Sequence, residues 1–497
     1  MTSGTPSVGV LRLAGWFRLC FAVGLLIVAG CKSVAPEVNR APVDVELRAR
    51  TAAGVVPQSK PGEPGLPPGV NMGDGLTSSE AVATALWNNA AFQGTLADLG
   101  VVRGDLVQAG LLANPQLNLL FPPVGSKQLE WTIFAPLDAL ILRKYRVEVA
   151  DRDFQRVCAE LVQNGLNVAR DARVAFVDLQ LATDRWRLAQ ENVAVRERLA
   201  ELAARRLSAG DTGELELVTA RLEAGRSRAE AAGLEPAVQI AEARLRLVLG
   251  LVADGTALQP EAAVRLRPLS LDVDGLIAEA VRQRPDVRAA RIAVEAAERR
   301  LELNRRSFLR VDGVFDGNSG GAGPTNMGPG LRFEVPIFNR NEGLVIRSQW
   351  SIDQARHNYQ AVHDRAVTEI RVAAAMVDQA GRSLEVLNRE VLPDLQEAQR
   401  LSEVAWSDGG NSYVLVLQTI TQVLVSRQRE LELQADLRRA IAELSRSAGK
   451  QVEAAVAEVA GEVSVGVSAV GVRADGWRAA SRVEFGLSQS EGVETSE

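Results

Sequence analysis

The stretch Gly330-Leu-Arg-Phe-Glu-Val-Pro-Ile-Phe-Asn-Arg-Asn-Glu-Gly343 decides how this chain is read. Leu331, Phe333, Val335 and Ile337 alternate with Arg332, Glu334 and Pro336, the period of two of a strand with one apolar and one polar face. The alternation then breaks into Asn339-Arg340-Asn341-Glu342, and a long helical pattern follows. The surrounding chain is helical in character. Its 497 residues are 46% hydrophobic but only 4% aromatic, and Ala, Leu, Val, Arg and Glu dominate, as in long packed helices.

Three further strands share the alternation. In Gln128–Phe134, Leu129, Trp131 and Ile133 face one way and Gln128, Glu130 and Thr132 the other. Leu309, Val311 and Phe315 oppose Arg310, Asp312 and Asp316, and Gln116–Leu119 alternates as well. Six of the 12 phenylalanines fall in the two islands, about 113–136 and about 307–338, together with Trp131. The pattern predicts two hairpins, turning at Pro122–Lys127 and at the glycine-rich Gly317–Gly330, with Leu331–Ile337 as the last strand. Alternation of this kind suits either a small sheet lying on a protein core or a transmembrane β-barrel. In the barrel, Arg310, Asp312, Asp316, Arg332 and Glu334 line the lumen; in the sheet they are solvated charges near strand ends. Four strands cannot close a barrel, and an open sheet edge cannot sit in lipid, so the barrel reading requires an oligomer.

Outward from the islands, the chain has two halves on one plan. Ser208–Gly210 and Ser407–Gly409 are 199 residues apart, as are Gly250 and Gly449. Each half is read as a helix (about 77–112; about 272–306), an aromatic island, a very long helical stretch (137–209; 339–407), a glycine-containing tip and a returning helix (214–249; 412–448). Between Leu137 and Ala209 the only glycine is Gly165, and there is no proline. One continuous helix of that length would run roughly 110 Å. Leu188, Val195, Leu199 and Leu202 mark a coiled-coil-like seam within it. Glycine at the tips permits an antiparallel return. The exposed turns, at Ser208, Gly210 and Gly213 and at Ser407, Gly409 and Asn411, are candidates for contact with a partner.

The ends read differently. Arg12 and Arg18 precede the apolar run Leu19–Gly30, too short to span a bilayer but suited to a signal peptide. It ends in Val28-Ala29-Gly30-Cys31, which resembles a bacterial lipobox with Cys31 as the lipidated residue. The expected organisation is a signal peptide at 1–30, a Pro-rich tether at 31–76, a first repeat at 77–250 and a linker at 251–271. A second repeat at 272–449 and a disordered tail at 450–497 complete it. The tether holds seven of the 20 prolines.

Several functions find no support. The net charge is −6, with no basic run among aromatics, which argues against nucleic acid. The two histidines, His357 and His363, lie six apart and so on different faces of a helix, and no residue cluster has metal-ligand spacing. Nothing calls for a cofactor, no Walker motif is present, and general-base chemistry has few candidates. The sequence describes no enzyme.

Asn114-Pro-Gln-Leu-Asn-Leu119, Arg206–Gly210, Leu247–Gly250, Arg284–Glu302 and Val335–Gly343 appear in this order within the two-fold layout. Together they resemble the TolC-like outer-membrane efflux family. The resemblance covers about Leu76 to Lys450 and implies a mainly α fold. Long antiparallel coiled-coil helices would form an α-barrel tunnel, and each chain would give four strands to a twelve-stranded barrel in a homotrimer. It further implies an outer-membrane duct, lipid-anchored and passive. A periplasmic adaptor would meet the tips, and an inner-membrane pump such as an RND transporter would supply the energy. Best-studied members narrow the tunnel with aspartates just after the second tip. Here the comparable positions are Leu415 and Gln418, which implies an apolar constriction. Pro336–Gly343 is similar to members that export heavy-metal cations. A duct for drugs or secreted proteins, and a structural coiled-coil lipoprotein without channel activity, are the alternatives.

Overall fold

A computed structural model describes residues 40–55, 64–73, 75–121, 127–252, 255, 258–261, 271–320, 326–407 and 413–452. Cys31, the signal segment, residues 453–497 of the tail and the tip residues Gly409 and Asn411 lie outside the described residues, as does the turn at 122–126.

The first half holds α1 (Ala41–Thr51), α2 (Ser78–Asn88), α3 (Ala90–Gly110), β1 (Gln116–Leu120), β2 (Lys127–Pro136), α4 (Asp138–Ala209) and α5 (Glu214–Leu249). The second holds α6 (Val273–Gln283), α7 (Pro285–Arg306), β3 (Val311–Gly320), β4 (Asn326–Phe333), α8 (Glu342–Val386), a π-turn (Leu387–Val391), α9 (Leu392–Ser407) and α10 (Tyr413–Ala448). α4 is one unbroken helix of 72 residues. It packs along α5, α7, α3 and α10. Leu188, Val195 and Leu199 of its seam are buried, and Leu202 packs partly buried beside them.

Glycine ends the long helices in the same way. Gly210, Gly250 and Gly449 have φ of 84°, 71° and 72°. Each donates its N–H three residues back, and the next residue donates to a carbonyl five back, as in Asp211 N to Arg206 O at 2.9 Å. This is a Schellman close, which needs the left-handed conformation that glycine adopts at no steric cost.

Three features depart from the sequence reading. Residues 31–76 were expected to form a tether, yet they contain α1, with Val43 and Leu47 fully buried. Pro42 sits in its first turn, where the missing N–H costs nothing. Leu47 lies where a Cβ on Gly165 would be, 2.6 Å from Leu47 Cδ2, so the lone glycine of α4 makes room for α1. Second, the 339–407 stretch is not one α-helix. Pro393 lacks the N–H that would bond four residues back, and the turn just before it widens so that Leu392 N–H donates to Leu387 O.

Third, the last strand lies further toward the N-terminus than expected. It is Asn326–Phe333, not Leu331–Ile337, and much of the predicted turn Gly317–Gly330 is strand. Glu334 N–H still reaches Arg310 O at 3.2 Å, but Ile337 N–H then donates to Val335 O at 2.9 Å. That two-residue return places Pro336 at the centre of a γ-turn and takes the chain out of the sheet.

Candidate functional site

The four strands form one antiparallel meander, β1-β2-β3-β4. Its register sorts the side chains. Thr132 pairs with Asp316, and Asp312 with Arg332, on one face; Trp131 pairs with Gly317, Ile133 with Phe315, and Val311 with Phe333 on the other. The five sequence-predicted charges therefore share a face, counting Arg310 and Glu334 by continued alternation. Arg332 Nε donates to Asp312 Oδ2 at 2.9 Å, and its guanidinium lies 4.2 Å from the centre of the Phe134 ring. Arg310 and Glu334 are 3.8 Å apart. The opposite face carries Leu117, Leu119, Ile133, Phe315, Leu331 and Phe333, all exposed. Among the described residues nothing covers this apolar surface.

Where β4 meets α8, Asn341 takes a left-handed φ of 62°. Its N–H donates to Asn339 Oδ1 at 2.9 Å, its Nδ2 to Ser307 Oγ at 3.0 Å, and Arg340 N–H to Glu342 Oε2 at 2.9 Å. The Asn-Arg-Asn-Glu run is thus a joint in which each polar side chain caps a backbone group or ties α8 to the end of α7.

At the far end of the long helices, Ser208 Oγ donates to Arg205 O at 2.7 Å, and Gly210 and Gly213 bracket the first turn. Ser407 ends α9. Behind the tips, Val195 and Leu199 of α4, Leu217 of α5, Trp406 of α9 and Tyr413 and Val416 of α10 form one core. The Trp406 and Tyr413 ring centres are 5.7 Å apart, and the Arg206 guanidinium lies 5.1 Å from Trp406. Burial pushes the Tyr413 hydroxyl up to about 12. Leu415 is 43% exposed, and Gln418, one turn on, is also exposed. Both stand on α10, on the side away from the buried Val416 and Ile420.

The Arg284-Pro-Asp-Val287 motif has a structural role that sequence reasoning missed. Arg284 is 1% exposed. Its guanidinium makes paired bonds to Asp286 at 2.9 Å, donates to Ser447 O at 3.0 Å and bonds Glu369. Arg50 of α1 joins the cluster, donating to Gln283 O at 2.9 Å, and Arg288 bonds Glu46 at 2.6 Å. A buried arginine is the usual centre of such a clasp, and its neighbours Pro and Asp start α7.

Among the described residues no group of three or more His, Cys, Asp or Glu is placed to hold a metal ion. None of their helices is long and apolar enough to cross a membrane, which does not bear on a β-barrel. Gly317-Asn-Ser-Gly-Gly321 spells G-x-S-x-G, but Gly317–Gly320 is β3 ladder rather than the strand-to-helix turn of a nucleophile elbow.

Residues 82–251 and 276–450 match the outer membrane efflux protein family. The cobalt-zinc-cadmium resistance protein CzcC of Cupriavidus metallidurans is 23% identical over 385 residues, covering 76% of this chain and 90% of CzcC. The probable outer membrane lipoprotein SilC of Salmonella typhimurium is 24% identical, covering 82% and 93%. Among solved structures, CusC superposes with a TM-score of 0.64 at 19% identity, covering 79% of this chain and 98% of that one. VceC of Vibrio cholerae gives 0.62 at 18% identity, covering 75% and 96%. The chain belongs to the outer membrane efflux protein family, with long helical hairpins and a four-stranded β-meander.

Proposed function

We propose that three copies of this chain close one twelve-stranded barrel in the outer membrane and one helical tunnel beneath it, forming a passive duct for heavy-metal cations. The observation that carries the reading is the sheet. It has an apolar face that no described residue covers, a charged opposite face, and strands β2, β3 and β4 of 8 to 10 residues beside the five-residue β1. Open β1 and β4 edges are not tolerated in lipid, so copies must pair edge to edge. The apolar face then meets lipid, and Arg310, Asp312, Asp316, Arg332 and Glu334 face the water-filled lumen.

The cargo reading rests on relatives described as cobalt-zinc-cadmium and nickel-cobalt-cadmium resistance proteins and as a cation efflux system protein. Among the described residues the ions meet no resident site. The tips at Ser208–Gly213 and Ser407–Asn411 meet a periplasmic adaptor. An inner-membrane pump of RND type drives transport, and Cys31 carries the lipid anchor. Leu415 and Gln418 narrow the periplasmic end.

The test is expression in an outer-membrane fraction followed by electrophoresis and planar-bilayer recording. An SDS-resistant trimer that dissociates on heating and conducts ions is expected. A monomer without conductance would favour a purely structural lipoprotein. Cargo is read by zinc, cobalt and cadmium sensitivity of a deletion strain carrying the cognate pump; unchanged tolerance of all three would remove the cation reading.

A further inference from the structure

The level at which strands become helices carries a collar of exposed apolar residues followed by exposed cations. Several contacts fix that level. Leu137 N–H donates to Val311 O at 2.8 Å, joining the start of α4 to β3. Arg143 Nε donates to Gly110 O at 2.7 Å, joining α4 to the end of α3. The Arg306 guanidinium lies 4.4 Å from the Tyr145 ring, and Asn341 is tied to Ser307. All four strand–helix crossings are therefore side by side.

The height of the sheet places this level relative to a bilayer. Strands β2, β3 and β4, of 8 to 10 residues, at about 3.3 Å per residue and a tilt of about 40°, rise roughly 20–25 Å, close to the apolar band of an outer-membrane barrel; β1 covers five residues of that height. The crossings then lie at the membrane edge. Ile141, Phe308, Ile337 and Phe338 are exposed there, Phe338 by 99%. Within two helical turns beyond them stand Lys144, Arg305, Arg340 and Arg347, all exposed. The Lys144 side chain is 77% exposed, with its nearest carboxylate, Glu148, 3.9 Å away. Arg305 and Arg347 have no carboxylate partner among the described residues.

Apolar anchors with long cationic side chains just outside them are the arrangement that suits a charged interface. The stems lie along apolar surface and the heads reach headgroup oxygens. We infer that Lys144, Arg305, Arg340 and Arg347 form a docking collar for anionic phospholipid headgroups in the periplasmic leaflet. The inference rests on the outer-membrane reading and adds the headgroup class and the residues that select it. Arg340 stands in the Asn339–Glu342 joint, exposed, with its Nε bonded to Pro336 O at 3.2 Å and Glu342 as the neighbouring carboxylate. Phosphatidylglycerol and cardiolipin supply the phosphate that guanidinium binds in a bidentate manner.

The experiment uses the full-length protein purified in mixed micelles of phosphatidylcholine and phosphatidylglycerol. Retained lipid is quantified by mass spectrometry, and the same preparations are recorded in planar bilayers. The wild type is expected to retain phosphatidylglycerol severalfold above its input fraction, with the enrichment falling as salt is raised. The variant Lys144→Glu/Arg305→Glu/Arg347→Glu is expected to retain lipid at the input ratio while still conducting. Wild-type retention at the input ratio, which needs no variant, overturns the collar. So does enrichment unchanged in a folded variant; the milder Arg305→Gln/Arg347→Gln gives the same readout where charge reversal prevents folding. Loss of conductance in the wild type itself strikes at the channel reading and is distinct from a failure of lipid selection.

Discussion

Arg284, at the start of α7, bonds the carboxylate of Glu369 in α8 while its other nitrogens hold Asp286 and the Ser447 carbonyl of α10. One side chain thus ties three helices together at the end of the second repeat, beside the α1 helix of the N-terminal segment. Removing either partner leaves a desolvated charge. Arg284→Ala is expected to cost on the order of 3–5 kcal/mol, as for other broken buried ion pairs. Chemical denaturation of the purified protein would show the loss; a change below about 1 kcal/mol would mean that the clasp is incidental to stability.

The same cluster predicts acid sensitivity. Burial pushes the Glu369 carboxyl up, but hydrogen bonds and charge from Arg284 and Arg446 outweigh this and hold it below the usual carboxylate range. Burial, Arg288 and Arg50 leave Glu46 lowered in the same way. A carboxyl more acidic in the folded state contributes stability that is complete above its unfolded value, about 4.3, and is lost as pH falls through the lower folded value. Melting temperature should therefore hold from pH 7 down to about 5 and then fall. Glu369→Gln should start lower and fall less steeply. Equal slopes in the two proteins would place the acid response elsewhere.

How far the sequence could be read depended on the kind of signal. The 72-residue helix α4 was legible because Leu137–Ala209 has no proline and a single glycine, with Leu188, Val195 and Leu199 at seam spacing. The charged strand face was legible because side chains in a strand alternate regardless of register. The strand ends were not. Gly317, Gly328 and Gly330 look like turn residues, and only the facing strand shows why they are ladder. α1 was hidden by composition, since the prolines around it suggest a tether and its burial depends on α4, which is distant in sequence. The π-turn did have a local signal, Pro393, within an otherwise helical run. The Arg284 clasp could be noticed as a motif, but its partners lie 85 and 163 residues away.

Trp131 and Gly317 predict a packing defect. They face each other across β2 and β3, and a Cβ on Gly317 would lie 2.1 Å from the Trp131 ring. The indole covers the bare backbone and stands 5.6 Å from the Phe315 ring. Gly317→Val forces the indole away and exposes the ladder, an overpacking cost of roughly 1–3 kcal/mol. In the proposed trimer, the heat-dissociation temperature should drop. Pairing Gly317→Val with Trp131→Ala should recover part of the loss, whereas additive losses would show that the two residues do not interact.

Leu415 predicts a conductance change. It stands exposed on the first turn of α10, one turn from Gln418. A ring of three leucines would restrict water and ions through its width and its poor hydration. Leu415→Ser should raise single-channel conductance severalfold, and Leu415→Asp should add cation preference over anions. Wild-type conductance in both would place Leu415 between helices rather than in the pore.

Tyr413 offers a test of the tip core that needs no channel recording. The chain has three tyrosines, so their ionisation can be followed by absorbance. Tyr413 lies 5.7 Å from Trp406 in a core shared by both hairpins, and burial raises its hydroxyl to about 12. The neutral form is thus favoured in the folded protein. Its contribution is complete below the unfolded value of about 10 and is lost as pH rises towards 12. Alkaline titration should show a late tyrosine phase approaching pH 12, together with loosening of the tips. Tyr413→Phe should abolish this late phase. If the wild type shows no late phase, the tip core is open to water, and the packing that joins Val195, Leu217 and Val416 is looser than these contacts indicate.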